Sequence, residues 1–184
     1  VPVPVHGRNR DQVFLRAFAG FDSLSATAAS INALNAFPSS FSPSRIMPGA
    51  SSATTSADTG PGILAADAME AAGLTLVELS EPTVAALRPM LPAEASIRNP
   101  LDMVASATPP SYAKALTALL ADPNVDAVVT IFVPPYGIKQ EDVADAIATA
   151  AKTELTKPIL AVLMGREGLP AGRADLLDVG VPTY

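Results

Sequence analysis

From Ser51 onward the chain predicts an α/β fold, a parallel sheet with helices on both faces. Three observations carry that expectation. Strand-like and helix-like segments alternate five times with short connections, the pattern of crossover units that build a parallel sheet. Two of the strand segments, VDAVVTIFV and KPILAVLMG, are unbroken apolar runs, as strands covered on both faces must be. Several of the helical segments carry proline near their starts or glycine at their ends, the asymmetry that helix termini favour.

Taken in order, SSATTSA (51–57) is β-prone but almost wholly polar, a poor strand by composition. A helix is predicted from Pro61 to Ala72, with the proline in its first turn and Gly73 as its stop. LTLVELS (74–80) reads as a strand, and EPTVAALRPML begins a second helix with Ser80 as its candidate cap. EASIRNPLDMVASAT (94–108) reads as a loop. The helix from Pro109 to Ala121 sets Tyr112, Ala115, Leu116 and Leu119 on one face. VDAVVTIFV follows as a central strand. QEDVADAIATAAK (140–152) is a helix with acids in its first turn and Lys152 in its last, which suits its dipole. After KPILAVLMG, GLPAGRADLLDVG (168–180) is a helix with a glycine stop, and VPTY begins a last strand.

Composition changes near residue 50, which divides the chain into an N-terminal helical or irregular segment with a linker (1–50) and an α/β domain (51–184). VPVPV cannot sit inside a sheet, because proline lacks the ladder donor. DQVFLRAFAGF is a short helix candidate from Asp11, and SATAASINALNAF a weaker one. FPSSFSPSRIMPG, with three prolines, reads as loop or linker.

The totals exclude several functions. The 184 residues carry a net charge of −6, which argues against a nucleic-acid partner, since phosphate backbones need a basic footprint. Cysteine is absent, so disulfides and thiolate metal sites are excluded, and a cytoplasmic location is expected. No apolar run approaches the roughly 18 residues of a membrane span, so no membrane partner is expected. The chain ends on a strand-like segment and reads as a piece of something longer.

Ligands of parallel sheets gather at the carboxyl ends of the strands, which selects four loops. In ADTGPG, glycines and the positive end of the following helix suit an anion; the plain alternative is a tight strand-to-helix turn. No Gly-Lys-Ser/Thr follows, so this is no nucleotide-gripping loop. In IRNPLD, Asn99 and Asp102 flank Pro100 and Leu101 and could simply make turns. In FVPPYG, Pro134 and Pro135 fix the loop and Gly137 gives room. In MGREG, Arg166 could meet a phosphate or stand solvated. His6, the one histidine, reads as an exposed terminal residue, and no catalytic triad, metal cluster or carboxylate pair is visible.

The run GPGILAADAMEAAGLTLVELSEPTVAALRPMLPAEASIRNPLDM, then YAKALTALLADPNVDAVVTIFVPP, KPILAVLMG and GVPTY, resembles the NDP-forming acyl-CoA synthetases, the relatives of acetate–CoA ligase (ADP-forming) and succinyl-CoA synthetase. The resemblance covers roughly residues 56–184. Its most specific elements are the Gly-Pro-Gly helix entry, the Asn-Pro-Leu-Asp loop and the Asp-Pro-Asn-Val-Asp-Ala strand entry. It implies a flavodoxin-like three-layer domain, the second such CoA-ligase domain of these enzymes. It also implies that ATP phosphorylates a histidine on a partner domain, that the phosphoryl group passes to an acid, and that CoA attacks the resulting acyl phosphate.

On that resemblance, Gly60, Gly62 and Ile63 would handle the phosphoryl group, Asn99 and Asp102 would neighbour it, and Pro134, Pro135 and Gly137 would shape the rim. No catalytic residue and no metal ligand is expected in this chain. CoA, ATP and Mg would belong to the whole enzyme. The expected partners are its CoA-binding, phosphohistidine and ATP-grasp domains or subunits, in an oligomer. The alternative is a non-catalytic binding or interaction module, such as the synthetase-like part of a protein acetyltransferase. Two departures matter: Thr59 replaces a family glycine, and Asp58 sets a negative charge where a phosphate would approach.

Overall fold

The computed structural model describes residues 51–184 apart from 57, 72, 136, 154–155 and 165–169. His6, both N-terminal helix candidates, the linker and Arg166 lie outside the described residues. A six-stranded sheet holds β1 (Ser51–Ser56), β2 (Thr75–Leu76), β3 (Ser96–Ile97), β4 (Leu101–Asp102), β5 (Ala127–Phe132) and β6 (Ile159–Leu163). Among the described residues five helices accompany it: α1 (Thr59–Ala71), α2 (Glu81–Leu87), α3 (Pro109–Ala121), α4 (Gln140–Ala151) and α5 (Arg173–Asp178). The strand order is β3-β4-β1-β5-β6, with β2 also on β1. All pairings are parallel except β3 with β4. Helices cover both faces, as expected for a three-layer α/β domain.

The layers follow from alternation along the strands. On one face, Ala53, Val128, Phe132, Ala161 and Leu163 pack with Leu116 and Leu119 of α3 and with Val143 and Ile147 of α4. On the other, Val129, Ile131, Leu160 and Val162 meet Ala65 and Met69 of α1. Each such large side chain contributes about 1.5–3 kcal/mol by leaving water. Tyr112 is fully buried; its ring meets Phe132 edge-on at 5.8 Å, and its hydroxyl donates to the Ile131 carbonyl at 2.9 Å. The face predicted for α3 is therefore the buried one, with Leu120 added.

The polar segment 51–56 is the middle of the sheet, buried from Ser52 to Ser56 and paired with three strands. Its composition misleads because three of its hydroxyls find partners within the fold. Ser52 Oγ donates to the Thr75 carbonyl, Thr54 Oγ1 to Met69 Sδ, and Ser56 Oγ to the Asp58 carbonyl. Thr55 and Thr130 are register neighbours whose buried hydroxyls have no partner among the described residues.

Elsewhere the elements shift. The first helix begins at Thr59, two residues before the predicted start, so Gly60-Pro61-Gly62 lies within its first turn. Gly73, at φ 85°, ends it by donating to the Glu70 carbonyl, a common glycine stop. The strand predicted over 74–80 pairs only at Thr75 and Leu76. Past the Val77 N–H, which reaches the Ser52 carbonyl at 3.3 Å, the backbone is held by side chains instead. Asn99 Nδ2 reaches the Val77 carbonyl, Asn124 Nδ2 the Glu78 carbonyl, and Asp122 Oδ2 accepts the Ser80 N–H.

The predicted loop 94–108 contains β3 and β4, a two-rung antiparallel pair joined through a cis Asn99–Pro100 bond. Strands this short leave no period for a sequence to show. Ser80 occupies the cap position of α2, but its hydroxyl donates to Thr83 Oγ1 rather than accepting a backbone N–H. Lys152 sits at the C-cap of α4. The last helix is limited to Arg173–Asp178, entered through Gly172 at φ 77°, where a Cβ would run into Ala144 Cβ. VPTY lies along β6 through one bridge, Ala161 to Thr183. Burial pushes the Tyr184 hydroxyl up to about 12.

Candidate functional site

The carboxyl end of β1 turns into α1 through Ser56 and Asp58. Ser56 Oγ accepts the Asp58 N–H at 3.0 Å and donates to the Asp58 carbonyl at 2.8 Å. The Asp58 carboxylate in turn accepts the Gly60 N–H at 3.0 Å, while the Gly62 N–H reaches the Asp58 carbonyl at 3.4 Å. Asp58 is exposed at the positive end of a thirteen-residue helix, a favourable position for a carboxylate. Of the three amides expected to face a phosphoryl group, that of Gly60 thus already meets an anion from its own chain. A Cβ on Gly62 would lie 3.5 Å from Ser56 Cβ and 3.8 Å from Pro100 Cβ, in ordinary contact. Packing therefore tolerates a methyl there.

Ile63 and Leu64 are large apolar side chains left 51% and 50% exposed in the first turns of α1. Among the described residues, the other exposed large hydrophobic is Met164, directly after β6. The carboxyl end of the sheet is therefore where apolar surface meets solvent, a pattern of contact surfaces.

The Asn99 side chain is turned into the sheet. Its Oδ1 accepts the Thr54 N–H at 2.9 Å, and its Nδ2 donates to the carbonyls of Ser52 at 2.7 Å and Val77 at 3.0 Å. Asp102 pairs with Ser56 in register, and its Oδ1 accepts the N–H of Val104, which has φ 57°. The Met103 N–H reaches the Ser56 carbonyl at 2.8 Å. The Asn-Pro-Leu-Asp turn thus abuts the α1 entry from the β4 side. Pro134 and Pro135 follow β5 on the opposite side of β1, with Gly137 at φ 89°. The structure so brings Gly60, Gly62 and Asp102 to the carboxyl end of β1, sets Asn99 against the middle of that strand at Ser52 and Thr54, and places the two prolines after its neighbour.

Sequence reasoning passed over Ser56 and the exposure of Leu64. A serine two residues before an aspartate at a helix start is the signal of a local side-chain turn. Among the described residues, no group of three or more His, Asp or Glu side chains could hold a metal, and no helix is long and apolar enough to cross a membrane.

Comparisons with known proteins agree with this architecture. Residues 53–184 match the Ligase-CoA domain. The chain is 39% identical over 128 residues to the acetate–CoA ligase (ADP-forming) II subunit alpha of Pyrococcus furiosus, covering 68% of this chain and 28% of that one. It is 32% identical over 125 residues to acetate–CoA ligase (ADP-forming) I of Archaeoglobus fulgidus, covering 68% of this chain and 17% of the relative. The chain thus spans less than a third of the length of these curated relatives. A crystal structure of a Pyrococcus horikoshii protein superposes with TM-score 0.68 at 36% identity over 75% of this chain and 32% of that one. An acetyl-coenzyme A synthetase from Candidatus Korarchaeum cryptofilum, solved with phosphate and ADP, shares the fold at TM-score 0.69 and 22% identity, over 87% of this chain and 34% of its own. With its sheet order, its helix entry after β1 and a match over most of its length, the chain belongs to the Ligase-CoA domain family.

Proposed function

We propose that residues 51–184 are one domain of an ADP-forming acid–CoA ligase, with residues 1–50 as an N-terminal segment and linker. The observation that carries this reading is the entry of α1. A long helix starts on Gly60-Pro61-Gly62 at the carboxyl end of the central strand, in a chain whose relatives are ADP-forming acetate–CoA ligases. A helix start offers N–H groups and a positive dipole to an anion. The role of this domain is to hold a phosphoryl group carried by a partner domain, with Gly60, Gly62 and Ile63 at the contact and Asn99 and Asp102 behind it. Pro134, Pro135 and Gly137 form the rim.

In the whole reaction ATP gives its γ-phosphoryl group to a partner histidine and leaves as ADP. The acid's carboxylate oxygen takes that group to form an acyl phosphate. The CoA sulfur then bonds to the acyl carbon, and phosphate departs. CoA and Mg-ATP are bound by the CoA-binding and ATP-grasp portions, which act in the cytoplasm as one oligomer with this domain. The donors at α1 are backbone N–H groups, which suit phosphoryl oxygens rather than a cation.

Two experiments test the reading. Adding acetyl phosphate to the 15N-labelled chain should shift the Gly60, Gly62 and Ile63 amides saturably, and no shift would remove the phosphoryl site. The complete gene product should convert acetate, CoA and ATP to acetyl-CoA, ADP and phosphate, and a failure would remove the ligase assignment. The Asp58–Gly60 bond favours a second reading, a non-catalytic interaction module. In that case acetyl phosphate shifts nothing while a partner domain still binds.

A further inference from the structure

Strand β1 has two partners in tandem on one side. β2 pairs with Ser51 and Ser52, and β4 pairs with Thr55 and Ser56. Between these registered pairs the Asn99 side chain fills the opening. Its oxygen takes the Thr54 N–H, and its nitrogen reaches the carbonyls of Ser52 and Val77. A side-chain amide carries the donor and acceptor of a peptide group, so one planar amide replaces a missing rung. It ties β1 both to the chain leaving β2 and to the turn entering β4.

That turn also carries Pro100, whose Cβ lies 3.8 Å from where a Gly62 Cβ would be. The Met103 N–H, just after β4, holds the Ser56 carbonyl at 2.8 Å, immediately before the α1 entry. The same residue that completes the sheet therefore seats the surface against which α1 begins. We propose that Asn99 is a positioning residue for the α1 entry. Its amide fixes where β4 lies against β1, and so where the Gly60 and Gly62 N–H groups stand. Its consequence for ligand binding rests on the phosphoryl reading above, whereas its geometric content does not.

The test uses the full 184-residue chain, 15N-labelled, as wild type, Asn99→Ala, Asn99→Asp and Leu119→Ala. Leu119 lies on the buried face of α3, and its truncation supplies a loss of stability with no link to Asn99. Three readouts are followed. They are hydrogen exchange at Thr54, the ligand-free amide positions of Gly60, Gly62 and Ile63, and their displacement by acetyl phosphate.

In Asn99→Ala the Thr54 amide should exchange about tenfold faster relative to its register partner Val129. The three α1 signals should move, and half-saturation by acetyl phosphate should rise about tenfold. Leu119→Ala should leave the three signals in place. Asn99→Asp keeps an oxygen for Thr54 and loses both donated bonds, so Thr54 stays protected while the α1 signals still move. It decides the matter if the alanine variant does not fold.

Unmoved α1 signals in both Asn99 variants, or equal movement in Leu119→Ala, would overturn the proposal. Should acetyl phosphate shift nothing in wild type, the phosphoryl reading falls. The positioning role is then still decided by the ligand-free signals.

Discussion

At the amino end of the sheet, Asp122 accepts the N–H groups of Ser80 at 2.8 Å and Asn124 at 2.9 Å, and its carbonyl takes Lys157 Nζ at 2.6 Å. Beside it, Asp126 exchanges hydrogen bonds with both backbone groups of Ser51. At the carboxyl end, another aspartate, Asp58, meets one glycine amide from an exposed position, and Ile63 and Leu64 face solvent. The first aspartate is fully buried and tied into several elements, whereas the second serves only its own turn. One end is closed by polar groups that satisfy each other, and the other leaves large apolar side chains facing solvent. Of the three motifs most specific to the family resemblance, Asp-Pro-Asn-Val-Asp-Ala belongs to the closed end. A recurring motif can therefore staple a fold as well as form a site.

The contrast can be broken experimentally, most forcefully at the closed end. Asp122→Ala leaves the Ser80 and Asn124 N–H groups without their acceptor, and should cost about 2–4 kcal/mol in urea denaturation. A loss below about 1 kcal/mol would mean that the closed end is no staple.

Asp122→Asn should cost less, about 1–2 kcal/mol at neutral pH, because one oxygen remains. It also sharpens the electrostatic side. Burial pushes the Asp122 carboxyl up, but the N–H groups of Asn124 and Ser80 and the hydroxyls of Thr83 and Ser80 together hold it below the ordinary 3.8. With the folded value depressed, the stabilisation is fully present above pH 3.8 and is lost as the pH falls through the lower folded value. Wild type should therefore lose stability on that acid limb, and Asp122→Asn should show a flatter one; equal limbs would count against this account.

At the open end the expected effects on stability are smaller. Gly62→Ala adds a methyl in ordinary contact and removes a helical glycine, so thermal unfolding should show a gain of up to about 1 kcal/mol. A clear loss would show that α1 tolerates no side chain there. Smallest in stability, Asp58→Ala frees the Gly60 amide and removes a competing negative charge. Acetyl phosphate should then shift the Gly60 signal at lower concentration than in wild type. An unchanged titration would mean that the carboxylate does not obstruct the helix entry.

The long apolar strands and the α3 face were legible because many residues repeat one period or one composition. VDAVVTIFV and KPILAVLMG are buried strands as read, and Tyr112, Ala115, Leu116 and Leu119 face the core. SSATTS was not legible as the central strand, because three of its hydroxyls are satisfied at Met69, Thr75 and Asp58, two of them far along the chain. LTLVELS reads as seven strand residues, yet pairs at two. Asn99, Asn124 and Asp122 hold the rest, from positions 22 to 46 residues away. At the site, Gly60 and Gly62 were visible as a helix entry, whereas the inward turn of Asn99 was not.

By itself the sequence determined the layered α/β class, the positions of its long helices to within two residues and the family to which the chain belongs. Periodicity, caps and contiguous motifs are local, and a chain displays them before it folds. Tertiary structure alone decided that a polar segment would be the middle strand, that one asparagine amide would stand in for a strand rung, and that one aspartate would be buried while another met a glycine amide at the surface. Those outcomes depend on which distant groups arrive within hydrogen-bonding distance, and no local pattern records that.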